Sequence, residues 1–462
     1  MNSSIVELLT SRLGSSKVLT GNAVQSRFYH IYETDKPLNA KAVVLPASTQ
    51  DVSAILKICH ELCQPVVVHG GLTNLVGSTE TTGDEIVISM EKMDSIEEID
   101  IESRTMTVQA GTILEDVQNA AKEKDLMFPL NYGAKGSAQI GGAISTNAGG
   151  LRVLRFGMTR SLILGLETVL ADGTIVSSLK KIIKDNSAYD IKHLFIGSEG
   201  TLGVVTKAVL KLVERPRSRT SAFVGINEYS NVVTFLKFMD GRLAGILSGF
   251  ELIWRDTYVA QTSPSEITPP LPTNYNYYVL LESLGSDSEK DQEKLLQLLE
   301  EALEEELILD AVPAYSNSDM DRFWRIREDV DIMISQCNNA QHFDISIPIP
   351  EIGNYAKRVS EALKKIPQLQ KCFIFGHVAD GNIHLILSKS EQSDALIHQI
   401  NEVVYTPLRA LGGSVSAEHG IGLHKKRYLE IARNAEEIEL MKTLKRTLDT
   451  KNILNRGKVI DV

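Results

Sequence analysis

Residues 131–157 read NYGAKGSAQIGGAISTNAGGLRVLRFG, with seven glycines in 27 positions, and the reading of this stretch decides the fold. Glycine adopts positive φ without strain and lets backbones approach closely, so amide N–H groups can converge on an anion such as pyrophosphate. Two further clusters flank it, VVVHGGLTNLVGS at 66–78 and LFIGSEGTLGVVT at 194–206. One cluster alone reads equally well as tight turns in a β-rich domain. Three in one region, two of them opening on a strand-like run, point to a nucleotide site. None follows G-x-G-x-x-G or G-x-x-x-x-G-K-[ST], so neither a Rossmann nor a P-loop domain is expected.

Around the clusters, from 65 to 212, short β-branched runs (PVVVHG, EIVIS, TMTVQAG, GVVTKAVLKLV) are separated by glycine, and a helix is expected at 112–124. An earlier helix near 49–63 begins at Ser48 or Thr49, both good N-caps. The polar stretch ERPRSRT at 214–220 is the expected domain boundary. Beyond it, strands such as LAGILSGFELI and YYVLLES alternate with amphipathic helices, the clearest being SDSEKDQEKLLQLLEEALEEE with a solvated acidic face. The Pro- and Ser-rich residues 261–274 read as a mobile surface loop. The fold class is α+β. The expected domains are a nucleotide-binding domain at 1–215, a substrate (cap) domain at 216–425 with an antiparallel sheet covered by helices, and a segment at 426–462 that returns to the first domain.

With 462 residues, 43% hydrophobic and 23% charged, the chain is an ordinary multidomain globular protein. A net charge of −11 argues against nucleic acid as a partner. Four scattered cysteines, Cys59, Cys63, Cys337 and Cys372, make no disulfide framework. Cys59 and Cys63 read as two small residues on one helix face. The first residues show no basic segment followed by an apolar run, and no run approaches the ~18 apolar residues of a membrane span. A soluble, cytoplasmic protein is expected.

The three clusters, in this order and spacing, resemble the FAD-binding domain of the vanillyl-alcohol-oxidase (PCMH-type) flavoproteins. Within these the chain is most similar to the FAD-linked D-2-hydroxyacid dehydrogenases: the D-2-hydroxyglutarate and D-lactate dehydrogenases and the glycolate oxidase D subunit. The likeness runs from residue 40 to the end, where LDTKNILNRGKVI resembles the family's C-terminal signature. It implies bound FAD. The first loop (His69, Gly70, Gly71, Leu72, Thr73, Asn74, Leu75, Val76) would wrap the pyrophosphate. Pro129, Gly133, Gly141, Gly142, Thr146, Asn147, Gly149 and Gly150 would line the flavin and diphosphate, and Glu199, Gly203, Val205 and Asn455 would close around the cofactor. His69 and Asn74 stand where the family carries an arginine and a glycine. Asn tolerates left-handed φ better than most non-glycine residues, so the loop is expected to survive the change at Asn74.

A second motif lies in FIFGHVADGNIHLIL at 373–387, which reads as strand, Asp-Gly turn, strand. With Asp380 and Gly381 as the loop, His377 opposes His384 on one face, with Cβ atoms about 4.5–5.5 Å apart. The pair is either an ordinary cross-strand contact or a chelate that needs a third ligand, for which Glu418 in SVSAEHGIG is the candidate. Neighbours in an extended segment face opposite ways, so Glu418 and His419 would have different tasks. The family resemblance implies the chelate: His377, His384 and Glu418 around a divalent metal, zinc first with manganese, iron or cobalt as alternatives. It also implies His419 as catalytic base.

The resemblance further implies a substrate-binding Arg327, which on its helix alone reads equally as a surface charge; Asn382, beside the metal, and His342 are further substrate-binding candidates. The hydroxyglutarate enzymes carry a threonine and a lysine where this chain has Asp331 and His342, so the particular 2-hydroxy acid stays open. The function expected is oxidation of a D-2-hydroxy acid to the 2-oxo acid by hydride transfer to FAD. The electron acceptor would be a quinone, an electron-transfer flavoprotein or a cytochrome, and a homodimer is among the expectations. The alternatives are an FAD-dependent oxidase of a sugar or alcohol, and a flavin- or metal-binding protein without turnover.

Overall fold

The computed structural model describes residues 4–264 and 267–462. The chain forms two compact units, one of Met1–Gly150, Gly157–Arg215 and Glu418–Val462, the other of Leu151–Phe156 and Pro216–Ala417.

In the first unit two sheets carry the glycine clusters. The smaller runs in the order Val18–Leu19, Ala42–Val44, Ile86–Ser89, Val66–His69, and its last three strands are parallel. Parallel strands are buried on both faces, which explains the continuous apolar runs AVV and IVIS. Val66–His69 therefore releases the first glycine loop from the end of a buried strand. The larger sheet is antiparallel, in the order Ile96–Asp100, Thr105–Gln109, Val204–Lys211, Ile163–Val169, Ile175–Ser178. The helix Thr49–Glu61 is capped by Ser48, whose hydroxyl accepts from the Asp51 N–H. Cys59 is buried in it, but Cys63 lies past its end at φ +52°, so the two share no helix face. The helix expected at 112–124 spans Leu114–Glu123.

The final residues are welded into this unit by a buried lysine. Lys445 Nζ donates to the carbonyls of Thr201 (2.9 Å) and Leu454 (2.7 Å) and to Asp449 (2.5 Å), which satisfies all three of its protons. Ile453 accepts from the Val66 N–H, tying the tail to the strand that feeds the first glycine loop.

The second unit is built on a seven-stranded antiparallel sheet. Its order is Asp310–Pro313, Ser218–Ile226, Tyr277–Gly285, Leu247–Trp254, Leu369–Gly376, Asn382–Lys389, Gln341–Ser346. Helices cover it. The helix Ser288–Glu304 is capped by Asp287 and buries Leu295, Leu298, Leu299 and Ala302, the inward stripe its sequence predicts. Of the loop expected at 261–274, Ser265 and Glu266 lie outside the described residues. Beyond them the loop is anchored: Ile267 and Leu271 are buried in the core, and the Tyr258 hydroxyl exchanges 3.0 Å hydrogen bonds with both backbone groups of Leu271. Two apolar side chains in a Pro-rich stretch suffice to pin it down.

Candidate functional site

In the first unit the three glycine clusters meet backbone to backbone. A Cβ on Gly71 would fall 1.9 Å from the Ser137 carbonyl oxygen, and one on Gly150 would fall 2.1 Å from that of Asn131. Real Cβ atoms make no such contacts, so glycine is obligatory at both positions. The second and third clusters are joined by Gly197 N–H to Ile144 (3.0 Å) and Glu199 N–H to Ser145 (2.8 Å). Gly133 and Gly142 have open space where a Cβ would stand. Gln139 Oε1, beside Gly70, is buried without a hydrogen-bond partner. A cradle of close-packed backbone with an orphaned polar atom fits a nucleotide, and Gln139 is a candidate lining residue that sequence reading missed. Gly71→Ala is expected to yield folded but colourless protein, checked by the flavin absorbance per chain.

Strain collects here. Leu72, Asn147, Glu199 and Asn455 all have positive φ, between +42° and +57°, a conformation that costs non-glycine residues of order 1–3 kcal/mol each and clusters at functional sites. Asn74 does not. The loop is kept in another way than by a left-handed Asn74: its left-handed residue is Leu72. The Asn74 side chain instead closes the loop, its Oδ1 accepting from the Ser78 N–H (2.9 Å) and its Nδ2 donating to Thr79 Oγ1 (2.7 Å). His69 Nε2 lies 2.9 Å from the Thr79 carbonyl, and burial pushes its pKa down to about 4, so it is a neutral loop brace.

The remaining expected residues are mostly supports. Thr146 bonds back to Gly142 within its helix. Val205 and Pro129 are buried, Gly141 packs on Ala110, and Gly203 on Phe195. Asn455 bridges two clusters, accepting from the Val68 N–H and donating to the Glu199 carbonyl. The Glu199 carboxylate accepts from Ile421 N–H (2.7 Å), Gly422 N–H (2.9 Å) and Ser78 Oγ (3.0 Å). It therefore holds the strand of chain that follows His419.

In the second unit the hairpin differs from its expected register. Phe375, not His377, pairs with His384, and residues 378–380 form a 3₁₀ turn closed by Gly381 at φ +84°. The slip is two residues, so the side-chain face is kept, and His377 stands just past the strand end. The imidazoles still meet, with centroids 5.4 Å apart and planes at 86°.

A carboxylate stands behind each ring. Glu251 Oε1 lies 2.6 Å from His377 Nδ1, and its Oε2 accepts from Arg327 Nε at 2.7 Å. Burial alone would raise the Glu251 pKa, but His377 and Arg327 outweigh it and hold the carboxyl below its usual range. Asp344 Oδ1 lies 3.7 Å from His384 Nδ1 and accepts from Asn382 Nδ2 at 2.9 Å. Asn382 Nδ2 also donates to the Ile345 carbonyl, while its buried Oδ1 has no partner. His342 is exposed, two residues along the strand from Asp344 and so on the same sheet face. Asp331 is exposed as well.

The Ala417 N–H donates to Asp344 Oδ2 at 3.1 Å. Glu418 is the next residue, its Cα about 3.8 Å further along the chain. Residues 417–419 bend rather than run extended, and ligand atoms of Glu418 and His419 lie within 4.8 Å of each other, so the expectation that these neighbours face opposite ways is corrected. Within the second unit Ala417 is tied to Asp344, and within the first Ile421 and Gly422 are tied to Glu199. Glu251 and Asp344 were absent from the sequence reading. An acid inside an apolar run, as in GFELIW and HFDISI, was the available signal, since a buried charge needs a partner.

A nucleotide cradle in one unit and a histidine–carboxylate–arginine cluster in the other define a cofactor-dependent oxidoreductase. An FAD binding domain family model matches residues 40–178, and the model of the C-terminal domain of FAD linked oxidases matches 215–459. The chain belongs to the FAD-linked D-2-hydroxyacid dehydrogenase family. It is 39% identical to a probable mitochondrial D-2-hydroxyglutarate dehydrogenase of Oryza sativa subsp. indica, over 91% of this chain and 75% of that protein. It is also 39% identical to a putative mitochondrial D-lactate dehydrogenase of Schizosaccharomyces pombe, over 88% and 80%. Substrate-bound p-cresol methylhydroxylase shares the fold, with a TM-score of 0.77 at 15% identity, covering 99% of this chain and 96% of that one.

These relatives correct one expectation. Both are named as mitochondrial proteins, which overturns the cytoplasmic placement. Few cysteines speak against an oxidising compartment but do not choose among reducing ones. Among the described residues no helix is long and apolar enough to cross a membrane.

Proposed function

We propose that this chain oxidises a D-2-hydroxy acid to the 2-oxo acid, with His419 as base and a divalent metal, zinc first, held by His377, His384 and Glu418. The observation that carries the reading is the convergence of Arg327 and His377 on Glu251. The proposed carboxylate clamp and metal ligand would thereby be held at a set spacing. The donor set suits a metal: imidazoles sharing a tetrahedral ion at about 2.1 Å place their centroids roughly 5 Å apart, close to the 5.4 Å observed.

Arg327 would grip the substrate carboxylate, its planar fork matching the two oxygens. His419 would take the hydroxyl proton in the bond-breaking step. The metal, when bound, supplies Lewis-acid polarisation of the hydroxyl. FAD, when bound, would supply the acceptor for the hydride at C2. A quinone, an electron-transfer flavoprotein or a cytochrome would reoxidise it. Asn382 acts here mainly to hold Asp344, because its amide protons are committed to Asp344 and Ile345.

The test is anaerobic mixing with paired enantiomers of lactate, 2-hydroxyglutarate and malate. Flavin absorbance should bleach with at least one D acid and with no L acid. Bleaching by neither series, or by both equally, would overturn the reading.

A further inference from the structure

We propose that Glu251 is a positioning residue that orients His377 and Arg327 together, an inference that rests on the function proposed above. Glu251 lies in the strand Leu247–Trp254, in the interior of the seven-stranded sheet, and is 1% exposed. A carboxylate there is costly unless charged and hydrogen-bonded partners compensate it. It has two, one on each oxygen, at 2.6 Å to His377 Nδ1 and 2.7 Å to Arg327 Nε.

Each bond decides something the backbone leaves open. His377 stands outside the strand ladder, at the start of the 3₁₀ turn, so the sheet does not set its ring. An ionised carboxylate only accepts, so Nδ1 carries a proton, and in the neutral ring that metal ligation requires the lone pair is then on Nε2. On the other side the bond engages Nε of Arg327 and not the Nη pair, whose edge is the bidentate one for a substrate carboxylate. The guanidinium is steadied further by the Phe375 ring, 4.7 Å from Cζ. One side chain thus sets both the metal ligand's tautomer and the clamp's direction.

The experiment uses purified FAD-loaded protein carrying Glu251→Gln or Glu251→Asp, alongside wild type and His384→Ala. FAD per chain, zinc retained against a graded chelator series, and flavin reduction against D-2-hydroxy acid concentration are measured. Glu251→Gln should bind zinc about 10–100-fold more weakly and need more substrate for half-maximal reduction, at unchanged FAD content. Glu251→Asp keeps the charge on a shorter arm and should show the same two effects in smaller measure; it carries the test if the Gln variant does not fold. A lowered melting temperature with wild-type zinc affinity and substrate dependence would make Glu251 merely structural and overturn the inference. Zinc lost from His384→Ala but kept in both Glu251 variants overturns it while the metal reading stands. Zinc kept in His384→Ala overturns the metal reading, and this inference with it.

Discussion

Replacing His419 with alanine is expected to slow substrate-dependent flavin reduction by about 10²–10⁴-fold, the usual worth of a positioned general base. FAD content should not change, because the cradle is built from the glycine clusters. The loss should be in rate at saturating substrate, since carboxylate binding is assigned to Arg327. The flanking bonds, Ala417 to Asp344 and Gly422 to Glu199, are backbone bonds and survive the substitution. Rapid-reaction absorbance under anaerobic conditions reads the effect directly. A variant that bleaches within tenfold of wild type would remove His419 from the proton-transfer step.

The second large effect is expected at His384. Alanine there removes one of three proposed ligands, so metal affinity should fall by more than the roughly 100-fold typical of losing a supporting contact. Lewis-acid assistance is worth several kcal/mol, so turnover should drop by about 10³-fold or more. His384 is a cleaner target than His377, whose loss would also strip Glu251 of a partner. Elemental analysis of the purified variant should find FAD without stoichiometric metal. A strong chelator applied to the wild type should reproduce the defect, and added zinc should rescue the wild type but not the variant. Full activity in the metal-depleted wild type would reduce the histidine pair to a structural contact.

Much of the flavin-binding unit was legible in the residues because glycine requirements are local. Gly71 and Gly150 are needed where backbones touch, and a chain meets that need only with glycine. The histidine pair was legible for a different reason. Its face depends on a period of two, and a register error of two residues returned the same face. The hairpin itself was misread: Asp-Gly signalled a two-residue turn, but Ile347 N–H binds the Gly381 carbonyl and Asn382 N–H binds that of His377, which favours the longer loop. Those partners lie just past the end of another strand and across the turn, and no dipeptide preference contains them.

What the sequence by itself determined is the family, with its glycine-rich cofactor cradle, and the candidates for the chemistry, all of them properties of short motifs. Only the tertiary structure decided that Leu72 rather than Asn74 bears the left-handed turn, and that Glu251 joins Arg327 to His377. The physical reason is that a buried charge is stabilised only by partners brought from afar. Glu251 lies 76 residues from one and 126 from the other, and folding alone makes them neighbours.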